Sequence, residues 1–197
     1  MSRVFSAMSI SADGYITGRD PGAGRGLGDG ATLFDWYTGG DVPSREFGGF
    51  TLSESSVRVF DTLARRAGAV VAGRTTYEDS EGFGGGSPHP AAPVFVLSHR
   101  PAPEITDRQT LITTGIEDAV AAARKAAGDK DVALMGGAVV TEALKAGLVD
   151  ELVLHQVPVL LGAGRPYFRE LPEHVRLRLV EAVPAPGVTH LHYEVER

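Results

Sequence analysis

The sequence contains no cysteine. This absence excludes a disulfide framework, a thiolate metal site, an iron–sulfur cluster and a cysteine nucleophile. Long apolar runs are missing as well, because none approaches the roughly 20 residues that a membrane-spanning helix needs. The first residues also lack the apolar core and the cleavage site of a secretory signal. We therefore expect a cytoplasmic protein with no membrane partner.

Basic residues are fewer than acidic residues. The 197 residues include 19 Lys and Arg against 25 Asp and Glu, which gives a formal net charge of −6. The arginines are scattered, so the chain lacks the basic cluster that a nucleic-acid partner requires. With 43% hydrophobic and 22% charged residues, the composition is that of an ordinary folded protein. We predict one domain over residues 1–197 whose stability comes from packing.

Several catalytic signatures are also absent. The six histidines include no H-x-x-x-H pair, and we therefore predict no metal site. Neither a G-x-S-x-G elbow nor a G-x-x-x-x-G-K-[ST] loop occurs, which argues against the common hydrolases and nucleotide triphosphatases. The strict G-x-G-x-x-G pattern of a Rossmann domain is missing too.

Strand and helix patterns alternate along most of the chain. This alternation predicts an α/β fold with a mixed, mainly parallel sheet, helices on both faces and an antiparallel hairpin at the C-terminal edge. Residues 18–49 carry ten glycines and two prolines, which predicts a loop or arm at about 18–50. We predict strands at residues 4–10, 69–72, 94–97, 131–135, 151–161, 177–182 and 189–195, with helices beginning near residues 53, 74, 116 and 138.

Three turns directly follow predicted parallel strands, where the ligands of open α/β sheets bind. The first, Gly73–Thr76, combines a guanidinium with two hydroxyls, which suits a phosphate. An ordinary capped turn with a solvated Arg74 would explain the same residues. A phosphate-binding role thus remains one of two interpretations of this turn.

The second and third turns offer further groups for an anion. Ser98, His99 and Arg100 follow the strand at 94–97, and Arg74 and Arg100 would bracket one phosphomonoester if the two strands are neighbours. Such a clamp would favour NADP over NAD, although Arg100 could instead pair with a carboxylate. The backbone amides of Gly136–Gly137 could meet a pyrophosphate at a helix start, and tight strand–helix packing would explain these glycines equally well.

Five segments together give the sequence a family resemblance. They resemble the dihydrofolate reductase-like superfamily, in the branch related to the reductase domain of the bacterial bifunctional riboflavin-biosynthesis deaminase-reductase. The resemblance implies a three-layer α-β-α fold, NADPH as cofactor and a homodimer with edge strands of the C-terminal third at its interface. The matching segments are residues 9–16, 71–78, 96–100, 135–138 and 150–164.

The resemblance also implies roles for individual residues. Asp13 begins the loop that closes over the nicotinamide and is a candidate proton donor. Ser9 and Ile16 match positions that flank the nicotinamide. The implied cofactor-binding residues are Gly73, Arg74, Thr75 and Thr76 at the phosphates, Leu97, Ser98, His99 and Arg100 around the adenosine 2′-phosphate, and Gly136, Gly137, Ala138 and Val139 beneath the pyrophosphate and nicotinamide ribose.

The substrate half departs from true dihydrofolate reductases. Their buried acidic residue on the first helix corresponds to about Val57 here, which argues against folate reduction. Glu54 and Asp61 share a helical face with Val57 and are candidate substrate contacts, or else solvated carboxylates beside an apolar stripe. Trp36 and Tyr37 are expected to wall the substrate pocket or to pack on a second subunit.

The expected activity is an NADPH-dependent reduction. The hydride acceptor would be a carbonyl or imine carbon of a small heterocycle or sugar-pyrimidine, as in 5-amino-6-(5-phosphoribosylamino)uracil reductase. Two alternatives remain open at this point. One is a dihydrofolate or pterin reductase, and the other is a non-catalytic NADPH-binding protein of the same fold.

Overall fold

A central sheet of eight strands organises the molecule, whose computed structural model describes residues 2–100 and 105–196. Two very short strands form a separate hairpin. In chain order, the strands are β1 (Val4–Ser11), β2 (Val42–Pro43), β3 (Thr51–Leu52), β4 (Ala67–Gly73), β5 (Val94–Leu97), β6 (Gln109–Ile112), β7 (Asp131–Met135), β8 (Glu151–Val157), β9 (Leu177–Ala185) and β10 (Val188–Val195).

The sheet is mixed and mainly parallel. Its strand order is β6-β5-β4-β7-β1-β8-β10-β9, and the six strands from β6 to β8 are all parallel. β10 runs antiparallel to β8, and β9 pairs antiparallel with β10 at the edge. The predicted α/β class, the parallel majority and the C-terminal antiparallel hairpin are confirmed.

Four helices cover the two faces of the sheet. α1 (Glu54–Arg66) and α2 (Arg74–Asp79) pack on one face, while α3 (Ile116–Ala127) and α4 (Gly137–Lys145) pack on the other. The Ser53 hydroxyl accepts a hydrogen bond from the Ser56 amide at 3.2 Å, as expected of a residue that caps the start of α1. None of the helices among the described residues is long and apolar enough to cross a membrane.

Two strand ends differ from the prediction by three or more residues, those of β8 and β9. β8 ends at Val157 instead of continuing to residue 161, because Pro158 has no N–H to donate to the sheet. Pro184 in contrast lies within β9, which is an edge strand and tolerates a residue without a donor. β6, with the sequence Gln-Thr-Leu-Ile, was not predicted, because so short a run with two polar residues gives almost no strand signal.

The glycine-rich segment of residues 18–50 packs against the sheet. It contains a 3-10 helical segment, Gly28–Tyr37, and the β2–β3 hairpin. Leu33 and Trp36 from this segment are 0% and 4% exposed in an apolar cluster. At Gly28 the φ angle is +63°, and a Cβ atom there would lie 1.8 Å from the Arg19 carbonyl oxygen. Glycine is thus required where the segment folds back on itself.

Candidate active site

A cavity of about 730 Å³ opens at the carboxyl ends of the parallel strands. All three turns singled out in the sequence border it, although they are far apart in the chain. Ligands of open α/β sheets bind at this edge. The predicted cofactor residues that line the cavity are Ile16, Gly73, Arg74, Thr75, Thr76, Leu97, Ser98, His99, Arg100, Gly136, Gly137, Ala138 and Val139.

Strand pairing brings the first two turns together. β4 and β5 are parallel neighbours, with Gly73 opposite Leu97, so the residues that follow each strand emerge side by side. The Arg74 guanidinium donates to Glu78 at 2.7 Å. The Ser98 hydroxyl accepts from the Arg100 amide at 3.2 Å and thereby shapes the second turn. An Arg74–Arg100 clamp requires that the strands before these two residues are neighbours, and β4 and β5 meet this condition.

Gly136 and Gly137 of the third turn are each required for a different structural reason. Gly136 has a φ of +102°, and a Cβ atom there would lie 2.2 Å from the Thr76 hydroxyl oxygen. A Cβ atom at Gly137 would lie 2.4 Å from the Tyr167 carbonyl oxygen. Close packing against Thr76 and Tyr167 therefore explains why this turn contains two glycines. It also leaves the first residues of α4 facing the cavity, where helix amides are available to an anion.

Positive charge dominates the cavity wall. Among the described residues, the carboxylates that border the cavity are Asp79 and Glu142, which pair with Arg165 and Lys145 respectively. This excess of cations over carboxylates favours an anionic ligand. The arginines that border the cavity are Arg25, Arg74, Arg100, Arg165 and Arg169.

Ser9 does not border the cavity, contrary to the role implied for it. Its hydroxyl accepts a hydrogen bond from the Trp36 indole N–H at 3.0 Å on the opposite face of β1. Successive residues of a strand point to opposite faces, and Met8 is the β1 residue that lines the cavity. Met8, one residue before Ser9, shares a face of β1 with Ile10, and strand alternation from Ile10 is the signal that could have identified Met8 as a cavity residue.

Asp13 also lies outside the cavity lining, and its carboxylate is fully engaged elsewhere. It accepts a hydrogen bond from the Ser11 hydroxyl at 2.5 Å and from the amides of Leu161 and Gly162 at 3.1 and 2.7 Å. The Ser11 hydrogen bond, assisted by the two amides, lowers the pKa of this exposed carboxyl. Asp13 therefore joins two loops as an ionised group, which does not fit the role of proton donor.

The aromatic pair proposed as a substrate wall is part of the core. Trp36 packs edge-on against Phe60, and Tyr37 stacks on Phe50. Burial raises the pKa of Tyr37 to about 12, although a hydrogen bond with Ser9 opposes the shift. Neither ring lines the cavity, and a position in the core also argues against direct packing on a second subunit.

The two candidate carboxylates of α1 lie away from the cavity as well. Glu54 is exposed at the first turn of the helix. Asp61 is only 5% exposed, and its oxygens accept from the Ser44 hydroxyl at 2.6 Å and from the Arg45 amide at 3.0 Å. Asp61 thus fixes the loop after β2. The expectation that either carboxylate contacts a substrate finds no support in these positions.

Besides Met8, several cavity residues that sequence reasoning missed come from two irregular segments. Arg25, Leu27 and Phe34 belong to the glycine-rich segment, and Arg165 and Arg169 follow β8. Nothing in their local sequence marks them as site residues, because their position depends on how irregular segments fold back over the sheet. Among the described residues, no group of three or more His, Asp or Glu side chains could hold a metal ion.

Comparison with known proteins agrees with this architecture. A protein of Bacillus subtilis (strain 168), the uncharacterized YwjB, is 29% identical over 125 residues, which cover 63% of this chain and 71% of YwjB. A solved structure from Shewanella sp. PV-4, named for riboflavin biosynthesis, superposes with a TM-score of 0.71 at 27% identity and covers 100% of both chains.

A second solved structure relates the fold to another enzyme. Dihydrofolate reductase from Enterococcus faecalis, solved as a complex with NADP(H), superposes with a TM-score of 0.62 at 18% identity, covering 99% of this chain and 97% of its own. The fold is therefore that of the dihydrofolate reductases. Residues 2–191 match the RibD C-terminal domain, and the chain belongs to this reductase-like family.

Proposed function

We propose that the protein is an NADPH-dependent reductase that transfers a hydride to a carbonyl or imine carbon of a small ring compound, such as a heterocycle or sugar-pyrimidine. The observation that carries the proposal is the convergence of three remote turns on one cationic cavity. Membership of the RibD C-terminal family supports it. So does the similarity to a reductase that was solved with NADP(H).

The residues of the cavity fit this cofactor. Arg74, Ser98 and Arg100 would hold the 2′-phosphate, because guanidinium groups bind phosphate oxygens with charge-assisted hydrogen bonds. The first turn of α4, which begins at Gly137, would hold the pyrophosphate with its amides. When bound, NADPH supplies a hydride.

The chain's own contribution is to position the ligands and to exclude water. Met8 and Ile16 offer apolar contacts at the β1 end of the cavity. Asp79 and Glu142, the carboxylates that border the cavity within residues 2–100 and 105–196, are engaged with Arg165 and Lys145. We therefore infer that water delivers the proton that accompanies the hydride.

The first experiment measures cofactor preference. Arg100→Ala is expected to weaken NADPH binding by about 1.5 to 3 kcal/mol, since it removes a charge-assisted hydrogen bond, and to leave NADH binding nearly unchanged. Titrations that follow nicotinamide fluorescence measure both affinities. Arg108→Ala is the matched control, because Arg108 is exposed and does not line the cavity.

Equal affinities of the unmodified protein for NADPH and NADH would contradict the clamp. Oxidation of NADPH with a panel of pterins, pyrimidine ribosides and simple ring carbonyls then separates the candidate functions. Turnover with a dihydropterin alone would favour the pterin reductase. Tight NADPH binding without oxidation of any panel member would indicate a non-catalytic protein.

We also propose a homodimer that pairs the edge strands β9 of two copies. Leu177, Leu179 and Val180 on this strand are 37%, 52% and 45% exposed, and an unpaired edge offers free backbone groups to a second strand. Leu179→Arg is expected to yield monomers in size-exclusion chromatography with light scattering. Leu160→Arg, at a 76% exposed position outside the strands, should leave the oligomeric state unchanged.

A further inference from the structure

Phe34 is an exposed aromatic side chain in the 3-10 helical segment Gly28–Tyr37. It is 42% exposed and borders the cavity, whereas Leu33 and Trp36 beside it are 0% and 4% exposed. Its ring lies 5.1 Å from that of Tyr37, which belongs to the core. The segment thus places one large apolar ring at the cavity, and hydrophobic and aromatic side chains are the usual lining of ligand pockets.

Other apolar side chains line the same cavity. Met8 and Ile16 from the β1 side, with Leu27 and Ala31 from the glycine-rich segment, also border the cavity. We refer to these four residues and Phe34 as the apolar recess. A pterin or pyrimidine ring carries several N–H and C=O groups, and each loses free energy when it is buried without a partner. The side chains of the recess offer no hydrogen-bonding group to such a ring.

One polar side chain that borders the cavity, that of Thr17, is already engaged. The Thr17 hydroxyl donates to the Gly18 carbonyl at 3.1 Å and accepts from the Arg165 amide at 2.9 Å. It is also only 5% exposed. Thr17 therefore stabilises the backbone and does not add recognition of a polar ring.

Arg25 supplies the one charge that the glycine-rich segment brings to the cavity. It is exposed and borders the cavity two residues before Leu27. Within residues 2–100 and 105–196, no carboxylate forms an ion pair with Arg25, whereas Arg165 is paired with Asp79. An anion on the ligand would provide the missing partner.

From these observations we infer that the apolar recess binds a planar, mainly apolar ring that carries a single anionic group. The ring packs on Phe34, and the anionic group pairs with Arg25. The inference narrows the substrate class of the proposed reductase, and it rests on the proposed function for the hydride transfer. It assigns the substrate to ring carbonyl compounds with a carboxylate, sulfonate or phosphate substituent. In the reduction, the carbonyl carbon gains the hydride, the oxygen takes a proton from water, and NADPH becomes NADP⁺.

A binding experiment with unreactive probes tests this inference apart from turnover. We expect 2-naphthoate to bind the NADP⁺-saturated protein more tightly than the neutral isostere 2-naphthamide, as measured by isothermal titration calorimetry. A pyrimidine riboside is expected to bind more weakly than either probe. Tighter binding of the riboside than of naphthoate would overturn the inference, as would equal affinities for naphthoate and naphthamide.

Variants locate the binding site of the probe. Phe34→Ala should weaken naphthoate binding roughly tenfold through lost aromatic contact, while Phe34→Tyr should preserve it. Arg25→Ala should abolish the preference for naphthoate over naphthamide, and Arg25→Lys should retain part of it. Leu160→Ala and Arg19→Ala are the matched controls, since both side chains are exposed and neither lines the cavity.

The outcomes separate this inference from the proposed function. Unchanged naphthoate affinity in Phe34→Ala, with a circular dichroism spectrum like that of the unmodified protein, overturns the role of the recess. Normal NADPH binding together with no detectable naphthoate binding defeats the inference alone. If the unmodified protein does not prefer NADPH over NADH but still binds naphthoate, the proposed cofactor is wrong. The apolar recess then remains a ligand site.

Discussion

Replacing Glu151 by alanine is expected to lower the free energy of unfolding by about 1.5 to 3 kcal/mol, because the partly buried Arg66 guanidinium loses charge-assisted hydrogen bonds and keeps Asp131 as a partner. Glu151 begins β8 and is 1% exposed. Both terminal nitrogens of Arg66 donate to it at 2.9 Å, Arg3 approaches to 2.8 Å, and His192 lies at 2.9 Å. Burial alone would raise the pKa of Glu151, but His192 and Arg66 lower it to about 2.

Urea denaturation at pH 7 measures this effect. Glu142→Ala serves as the control, because Glu142 is half exposed and forms a helix-surface pair with Lys145 at 3.0 Å. Such surface pairs contribute roughly 0 to 1 kcal/mol. A loss below about 1 kcal/mol in Glu151→Ala would show that the cluster does not stabilise the fold as argued.

Lowering the pH from 6.5 to 5 is expected to reduce the free energy of unfolding by about 2 to 4 kcal/mol, because two buried histidines resist protonation in the folded state. His155 and His190 are each 2% exposed, with their Nδ1 atoms 2.8 Å apart. Burial lowers their pKa values to about 3 and about 4. Both therefore stay neutral in the folded state, whereas the unfolded chain takes up protons below its pKa of about 6.5.

The sign follows from this difference in proton uptake. When folding lowers the pKa of a histidine, that histidine does not change the free energy of unfolding above about pH 6.5. The free energy of unfolding then decreases as the pH falls from about 6.5 towards the pKa of the folded state. The slope is about 1.4 kcal/mol per pH unit for each such histidine. The contribution of Glu151 is lost in a separate, more acidic window, from about pH 4.5 down to about 2.

Urea denaturation at pH 7, 6 and 5 measures the dependence on pH. His155→Gln is expected to reduce the slope by about half, because one of the two groups no longer titrates. His174→Gln is the matched control, since His174 is exposed. Stability that does not change between pH 6.5 and 5 would show that the histidine pair does not resist protonation.

Much of the sheet could be predicted from the sequence, because its strands are apolar runs between turn residues. Residues 94–97 and 131–135 have the bounds that the pattern predicts. β6 could not be predicted, because its position comes from pairing with β5 and its own residues carry little signal. Tertiary pairing overrides weak local preference at such a strand.

The part of the cavity wall that follows regular strands was easier to predict than the part that irregular segments form. Gly73–Thr76 and Gly136–Gly137 follow regular strands, so that their position at one edge of the sheet follows from strand order. Trp36 and Phe34 lie two residues apart in one irregular segment, yet one is in the core and the other borders the cavity. Only the folded path of that segment decides which side chain meets a ligand.

The central position of β1 has a consequence for synthesis. The strand lies between β7 and β8, with Val4 opposite Val132 and Phe5 opposite Glu151. β1 therefore has no sheet partner until β7 has been made, about two thirds of the way along the 197 residues. Contacts so distant in sequence slow folding and leave apolar strands exposed on the nascent chain. Translation speed and chaperones acting on the N-terminal half are thus expected to govern the yield of folded protein.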